Sequence, residues 1–214
     1  MATTAESYRR PAALLIGMLV CGTQIAFGAT PTRNAELTPM IGYRSGGSFE
    51  DRDTGDTLDL DEGGNQGLIF NLDHDADTQW EILYSRQDSE LQLAQPFQGQ
   101  PHVDVAIYYL SFGGAYVFHD TAHPGVEPFV AAGIGLTHMS PDGLDAETRP
   151  LLSLGAGYKF FLSDNFGVRL EGRAYATALD SNAEIFCGNG ACIARVESDG
   201  FWQYEVNAGL TLRF

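Results

Sequence analysis

The chain is short of lysine, of cysteine and of long apolar runs. Its lone lysine is Lys159, and 12 basic residues face 28 acidic ones, a net charge of −16. That balance argues against nucleic acid, or an anionic membrane surface, as a direct partner held by a basic patch. Three cysteines are present, Cys21, Cys187 and Cys192. The last two stand in CGNGAC, and an even pair in an exported chain is most simply a disulfide. Closing so short a loop would contribute about 2 kcal/mol on the chain-entropy model, less after strain. Zinc is the weaker reading, since no third or fourth ligand of zinc type lies nearby. No GxGxxG-like loop is present to cradle a phosphate. Beyond the N-terminal region no segment has the unbroken apolar length, about 20 residues, of a spanning helix.

What is present begins with a leader. Arg9 and Arg10 form a positive start, Leu14 to Val20 an apolar run, and Ala26-Phe27-Gly28 a small-residue cleavage site. Residues 1–28 are expected to be a signal peptide, removed on export. A membrane anchor is the alternative, but the run is short and carries Gly17. A lipoprotein cleaved before Cys21 is a second, set against by the bulk of Val20. Without residues 1–28, which hold Arg9, Arg10 and Glu6, the chain keeps 10 basic and 27 acidic residues, a charge of −17. Residues 29–214 suit one domain.

The last stretch, FWQYEVNAGLTLRF at 201–214, alternates without a break. Trp202, Tyr204, Val206, Ala208, Leu210, Leu212 and Phe214 share one face; Gln203, Glu205, Asn207, Thr211 and Arg213 share the other. Period two over this length is a long strand with one apolar and one polar face. Similar alternation predicts seven earlier strands, near 36–44, 67–72, 78–86, 103–118, 126–139, 151–161 and 167–175. Strand four changes phase between Tyr109 and Phe112, which predicts a bulge near Gly113-Gly114. The connections run long, short, long, short, long, short, long. An open sheet edge cannot be left in lipid, so a membrane form must be a closed barrel. Small barrels with tight turns at one end and long loops at the other sort their connections in this way. Aromatic girdles would follow at both rims: Trp80, Phe118, Phe160, Phe161 and Phe166 by the tight turns, Tyr43 and Trp202 by the loops.

On these strands, and on the hairpins ELTPMIGYRSGGSFED, GLIFNL, PFVAAGIGL and LGAGYKFFLSDNFGVRLEGR, the chain resembles the small eight-stranded outer-membrane barrels of the OmpA/OmpX type. The resemblance covers residues 29–214. It implies an all-β, eight-stranded, antiparallel, up-and-down transmembrane β-barrel in a Gram-negative outer membrane, and it implies no particular activity, because that family has no single one. It also implies partners: outer-membrane lipid and lipopolysaccharide, and the barrel-assembly machinery, which reads a final strand ending on an aromatic residue. A monomer is expected. A soluble lipocalin-like barrel would put its apolar face inside, whereas here charges oppose the aliphatics.

An eight-stranded interior is just wide enough for side chains to fill. The inward set, Glu81, Lys159, Arg169, Glu171, Arg173, Glu205 and Arg213, should pair across it, because unpaired buried charge is costly. A charge-paired plug is expected, with a narrow proton or ion path as the alternative.

The first long loop, DRDTGDTLDLDEGG, holds carboxylates that could take calcium: Asp51, Asp53, Asp56 and Glu62. Its spacing nearly matches the calcium-loop pattern, but Gly55 and Asp56 are in the wrong order. The bland alternative is a solvated, self-repelling loop. His138 and Ser140, with Glu147 downstream, are similar to a lipid A deacylase arrangement of base, nucleophile and orienting acid. Pro141 and the short spacing to Glu147 depart from it, and a rim histidine before a Ser-Pro turn is the plainer reading. His119 and His123 with Asp120 could chelate weakly, or simply be polar turn residues. The expectation is a non-enzymatic barrel without a cofactor, whose acidic outer loops serve surface interaction or envelope integrity. The alternative is a lipid A esterase using His138 and Ser140.

Overall fold

The computed structural model describes residues 34–50, 57–97, 100–119, 123, 125–179, 184–188, 191–195 and 200–214. The leader and Asp51, Asp53, Asp56 and Asp120 lie outside them. Among the described residues twelve strands appear: β1 Ala35–Gly46, β2 Ser48–Glu50, β3 Thr57–Leu60, β4 Gly63–Asp73, β5 Thr78–Phe97, β6 Gln100–Val117, β7 Val126–Pro141, β8 Glu147–Ser163, β9 Phe166–Ala178, β10 Glu184–Gly188, β11 Ala191–Arg195 and β12 Gly200–Arg213. Among the described residues no helix is long and apolar enough to cross a membrane, which says nothing of a crossing by strands.

Eight strands, β1, β4 to β9 and β12, close on themselves. Each pairs antiparallel with its neighbour in sequence, β5 with β6 included, and β12 returns to pair with β1. Closure removes every strand edge from the barrel wall. The connections from β4 to β5, from β6 to β7 and from β8 to β9 lie at one end, the turn end, the first and last of them tight turns at 74–77 and 164–165. At the other, the loop end, β2 and β3 pair within the first connection and β10 and β11 form a hairpin within the last.

Alternation carries through to the faces. Ile41, Ile134 and Val206 are each 70% exposed, with Leu110, Phe112, Leu154, Tyr158 and Leu210 beside them on the outer wall. Their sequence neighbours, among them Arg44, Lys159, Arg169, Glu205 and Thr211, are buried inside.

Three expectations need correction. No bulge interrupts β6 at Gly113-Gly114; the register runs unbroken from Tyr116 opposite Thr78 to His102 opposite Gln92, and the shift lies further on, between Gln92 and Phe97. Val105, Ile107 and Tyr109 point inward, so the apparent change of phase was a change in what the interior holds. The second long loop is mostly strand, since β5 and β6 run past the end of their pairing with β4 and β7. Phe161 is not part of an outer girdle: it lies under Arg213, whose guanidinium carbon is 3.7 Å from the ring centroid. Trp80 and Phe118 at the turn end, and Tyr43 and Trp202 at the loop end, do face outward.

Candidate functional site

The interior is the most organised part of the molecule. It is built in layers along the barrel axis, each from inward positions on several strands.

At the turn end Glu36 of β1 is the hub. Lys159 of β8 donates to it at 2.6 Å and Arg213 of β12 at 2.7 and 2.9 Å. Lys159 also donates to Gln79 at 2.7 Å, and Arg213 to Glu127 of β7 at 2.8 Å. The only ammonium among the side chains is thereby fully buried and paired.

The next layer is a ring of four charges. Arg169 reaches Glu81 at 2.9 Å and Glu171 at 2.8 Å, and Arg173 reaches Glu81 at 2.6 Å and Glu171 at 2.5 Å. Carboxylate and guanidinium alternate around it, so every neighbour is of opposite sign. Asn71 joins it, donating to Glu81 and accepting from Arg169, each at 3.1 Å. Arg169 also stacks on Phe129, 4.1 Å from the ring centroid, a contact favourable to a desolvated cation.

Higher still, Glu205 of β12 collects donors. Arg44 gives it two hydrogen bonds, at 2.7 and 2.9 Å, and Tyr175 and Asn207 one each at 2.6 Å; Asn65 adds another. Arg44 also donates to Ser85 at 2.5 Å and lies 4.4 Å above the Tyr109 ring, which stacks on Tyr175. Tyr109 donates to Gln203.

Above this the interior turns apolar. Leu60, Leu91, Val105, Ile107, Met139, Leu151, Leu179 and Phe201 belong to one buried cluster, which reaches down to Leu83 and Ile69 between the charged layers. Leu60 enters it from β3, so the first connection folds back over the loop end. The lumen is thus filled by paired charges towards the turns, beside a smaller apolar cluster of Ala115, Val117, Phe129 and Ala131, and mainly by hydrocarbon towards the loops. Five cations, Arg44, Lys159, Arg169, Arg173 and Arg213, balance five carboxylates, Glu36, Glu81, Glu127, Glu171 and Glu205. All seven inward charges read from sequence lie in this network. Glu36, Arg44 and Glu127 complete it and are the members the alternation pattern does not single out, although Arg44 shares a face with Thr38 and Met40, opposite Leu37 and Ile41.

The candidate chemistry at the rims is not assembled in the same way. His138 projects from the outer wall, and its Nδ1 lies 2.8 Å from the Thr148 hydroxyl. Glu147, the proposed orienting acid, is one residue along from Thr148, hence on the other face of β8, and pairs with Arg149 at 3.0 Å. Ser140 is half-buried. The structure therefore places His138 with Thr148 and Glu147 with Arg149. Of the calcium candidates only Glu62 is described, and it accepts from the Tyr43 hydroxyl at 3.3 Å. Among the described residues no group of three or more His, Cys, Asp or Glu side chains is placed to hold a metal. His119 lies 3.3 Å from Asp77, both exposed. Cys187 and Cys192 stand directly opposite each other in the β10–β11 register.

No family model matches the chain, and no curated protein matches its sequence. Solved structures do. Neisserial surface protein A is similar with a TM-score of 0.57 at 14% identity, over 84% of this chain and 97% of that one. The N-terminal β-barrel domain of Pseudomonas aeruginosa OprF matches with a TM-score of 0.42 at 15% identity, over 84% and 98%. Ail, the attachment invasion locus protein of Yersinia pestis, matches with 0.42 at 17%, over 84% and 99%. At these identities the likeness concerns the fold, and the closed eight-strand topology agrees with the first of them. The fold of this chain is that of the small eight-stranded outer-membrane β-barrels.

Proposed function

We propose that the chain is an integral outer-membrane protein that works as a sealed, non-enzymatic scaffold. The observation that carries this is the inversion of polarity: aliphatic and aromatic side chains cover the outer wall while ten paired charges fill the inside. A water-soluble barrel exposing such a belt would aggregate; in a bilayer the same belt costs nothing and the polar backbone is satisfied by closure. Function then falls to the loop end, where Asp59, Asp61, Glu62, Asp88, Glu90, Asp104 and Asp142 make an acidic rim. Its role is surface interaction or envelope integrity. Divalent cations recruited by this rim and by the acidic first loop, with calcium at Asp51, Asp53, Asp56 and Glu62 the specific form, would bridge it to lipopolysaccharide phosphates. Residues 1–28 direct export and are cleaved, the barrel-assembly machinery inserts the product, and a Cys187–Cys192 disulfide holds the β10–β11 hairpin in the oxidising compartment.

The test is fractionation with gel migration before and after boiling, then reconstitution in planar bilayers. Outer-membrane fractionation, faster migration of the unboiled form and no steady conductance to sugars are expected. A soluble protein, or an open pore, overturns the reading.

A further inference from the structure

The outer wall is not uniformly bulky. Trp80, Gly114, Ala132 and Leu154 lie side by side in register across β5, β6, β7 and β8. Two small residues at the centre of that row leave a depression of about 600 Å³, lined almost wholly by hydrocarbon and aromatic atoms. Large exposed side chains ring it: Phe112 and Ile134 towards the loops, Tyr116 and Val130 towards the turns. At its edge Trp80 stacks on Phe112 with 5.5 Å between centroids.

We propose that this depression is a binding site for one acyl chain of a phospholipid with a zwitterionic, ethanolamine-type headgroup, in the leaflet at the turn end. The proposal rests on the membrane reading above. Depth supports it. Trp80 lies three residues along β5 from Asp77, about 10 Å at the rise of a strand, so a chain seated there has its headgroup level with the turn. Charge chooses the headgroup. The 73–77 turn beside the depression carries Asp73, Asp75 and Asp77, and its His74 ring lies 5.4 Å from Trp80. Three carboxylates repel a net anionic glycerol headgroup and attract an ammonium. Shape sets aside a second copy of the chain, because a two-fold interface must be self-complementary and a concavity facing itself encloses a void. The lipid gains by packing rather than by leaving water, since the surrounding chains are equally apolar, so the fit of the depression decides occupancy.

The experiment uses the full chain refolded into vesicles and then extracted into detergent micelles containing either phosphatidylethanolamine or phosphatidylglycerol. Retained lipid is read by native mass spectrometry and thermal unfolding by fluorescence. Wild type is expected to retain one phosphatidylethanolamine and to gain thermal stability from it, since a ligand that binds only the folded state stabilises that state. Ala132→Phe fills the depression and should abolish both effects; Ala208→Phe, on the outer wall of β12, should keep them. Asp75→Asn/Asp77→Asn should erase the preference between headgroups while leaving lipid bound. Retention of either lipid by Ala132→Phe as by wild type overturns the proposal, as does a preference for phosphatidylglycerol, or a dimer that Ala132→Phe dissociates. Failure to enter vesicles of any composition would instead strike the membrane reading itself.

Discussion

Arg44 on the first strand and Glu205 on the last face each other in register, and their side chains meet inside the barrel at 2.7 Å. The seam that closes the barrel is therefore held by more than its backbone ladder. Eight residues along β1, Glu36 faces Arg213 with the polarity reversed, and Thr38 and Thr211 share a hydrogen bond of 2.9 Å between these pairs. A slip of two residues along this seam would keep the faces and lose both ion pairs, so the charges help specify the register that alternation alone leaves open.

Removing one partner of the Arg44–Glu205 pair should be severe. Glu205→Gln leaves Arg44 without its carboxylate in a site closed to water, and should cost about 3–5 kcal/mol in reversible urea unfolding from vesicles. Arg44→Met should cost a similar amount. The double variant should lose clearly less than the two singles together, because the second change removes a charge already stranded by the first. Strict additivity in that cycle would show that the pair is not coupled.

Ile134, 70% exposed at mid-strand on β7, tests which face meets lipid. Ile134→Arg should lose about 2–4 kcal/mol in a bilayer if the residue lies near the midplane, whereas Ile134→Leu should stay near wild type. Equal stability of the two in vesicles would place this face in water.

Much of this was legible from alternation. The eight strands, their order and the outward faces of β7, β8, β9 and β12 follow from period two, because an unbroken apolar–polar rhythm has one reading in a barrel wall. The charge network was legible for the same reason: Arg169, Glu171 and Arg173 oppose Val168, Leu170 and Gly172. The β6 error marks the limit. There Val105, Ile107 and Tyr109 are apolar and inside, while Leu110 and Phe112 are apolar and outside. Hydropathy tells the faces apart only where the interior is polar, and the loop half of this interior is not. The full extent of β5 was hidden too: it runs on past Arg86 to Phe97, where Asp88, Glu90 and Gln92 make the outer face polar and the stretch resembles a loop, whereas β6 was read nearly whole. Partners such as Lys159 and Glu36, 123 residues apart, need the closed topology before they can be named.

Glycines give a sharper test of the wall. A Cβ at Gly172 would meet nothing within 4 Å, while one at Gly157 would come 2.0 Å from the Leu170 carbonyl oxygen. Gly172→Ala should therefore stabilise by about 0.4–1 kcal/mol, by restricting the unfolded chain. Gly157→Ala should destabilise, because the backbone of the neighbouring strand must move. Thermal unfolding of the two variants in one detergent checks this; the same sign for both would contradict the packing.

The esterase alternative makes the last prediction. A hydrolase at this rim needs a base within hydrogen-bond reach of a nucleophile and an acid holding the base in its working tautomer. His138 has its Nδ1 2.8 Å from Thr148, a hydroxyl that can fix the ring but carries no charge to stabilise an imidazolium. Glu147, which would supply that charge, is on the opposite face of β8 and engaged with Arg149. Reaching His138 would require its strand to flip faces, and with it every alternating contact β8 makes with β7. Lipid A from cells overproducing the protein should therefore keep all its acyl chains, and Ser140→Ala should leave the mass spectrum unchanged. Loss of one acyl chain that disappears with Ser140→Ala or His138→Ala would make the rim a catalytic site, with Thr148 in the place of the acid.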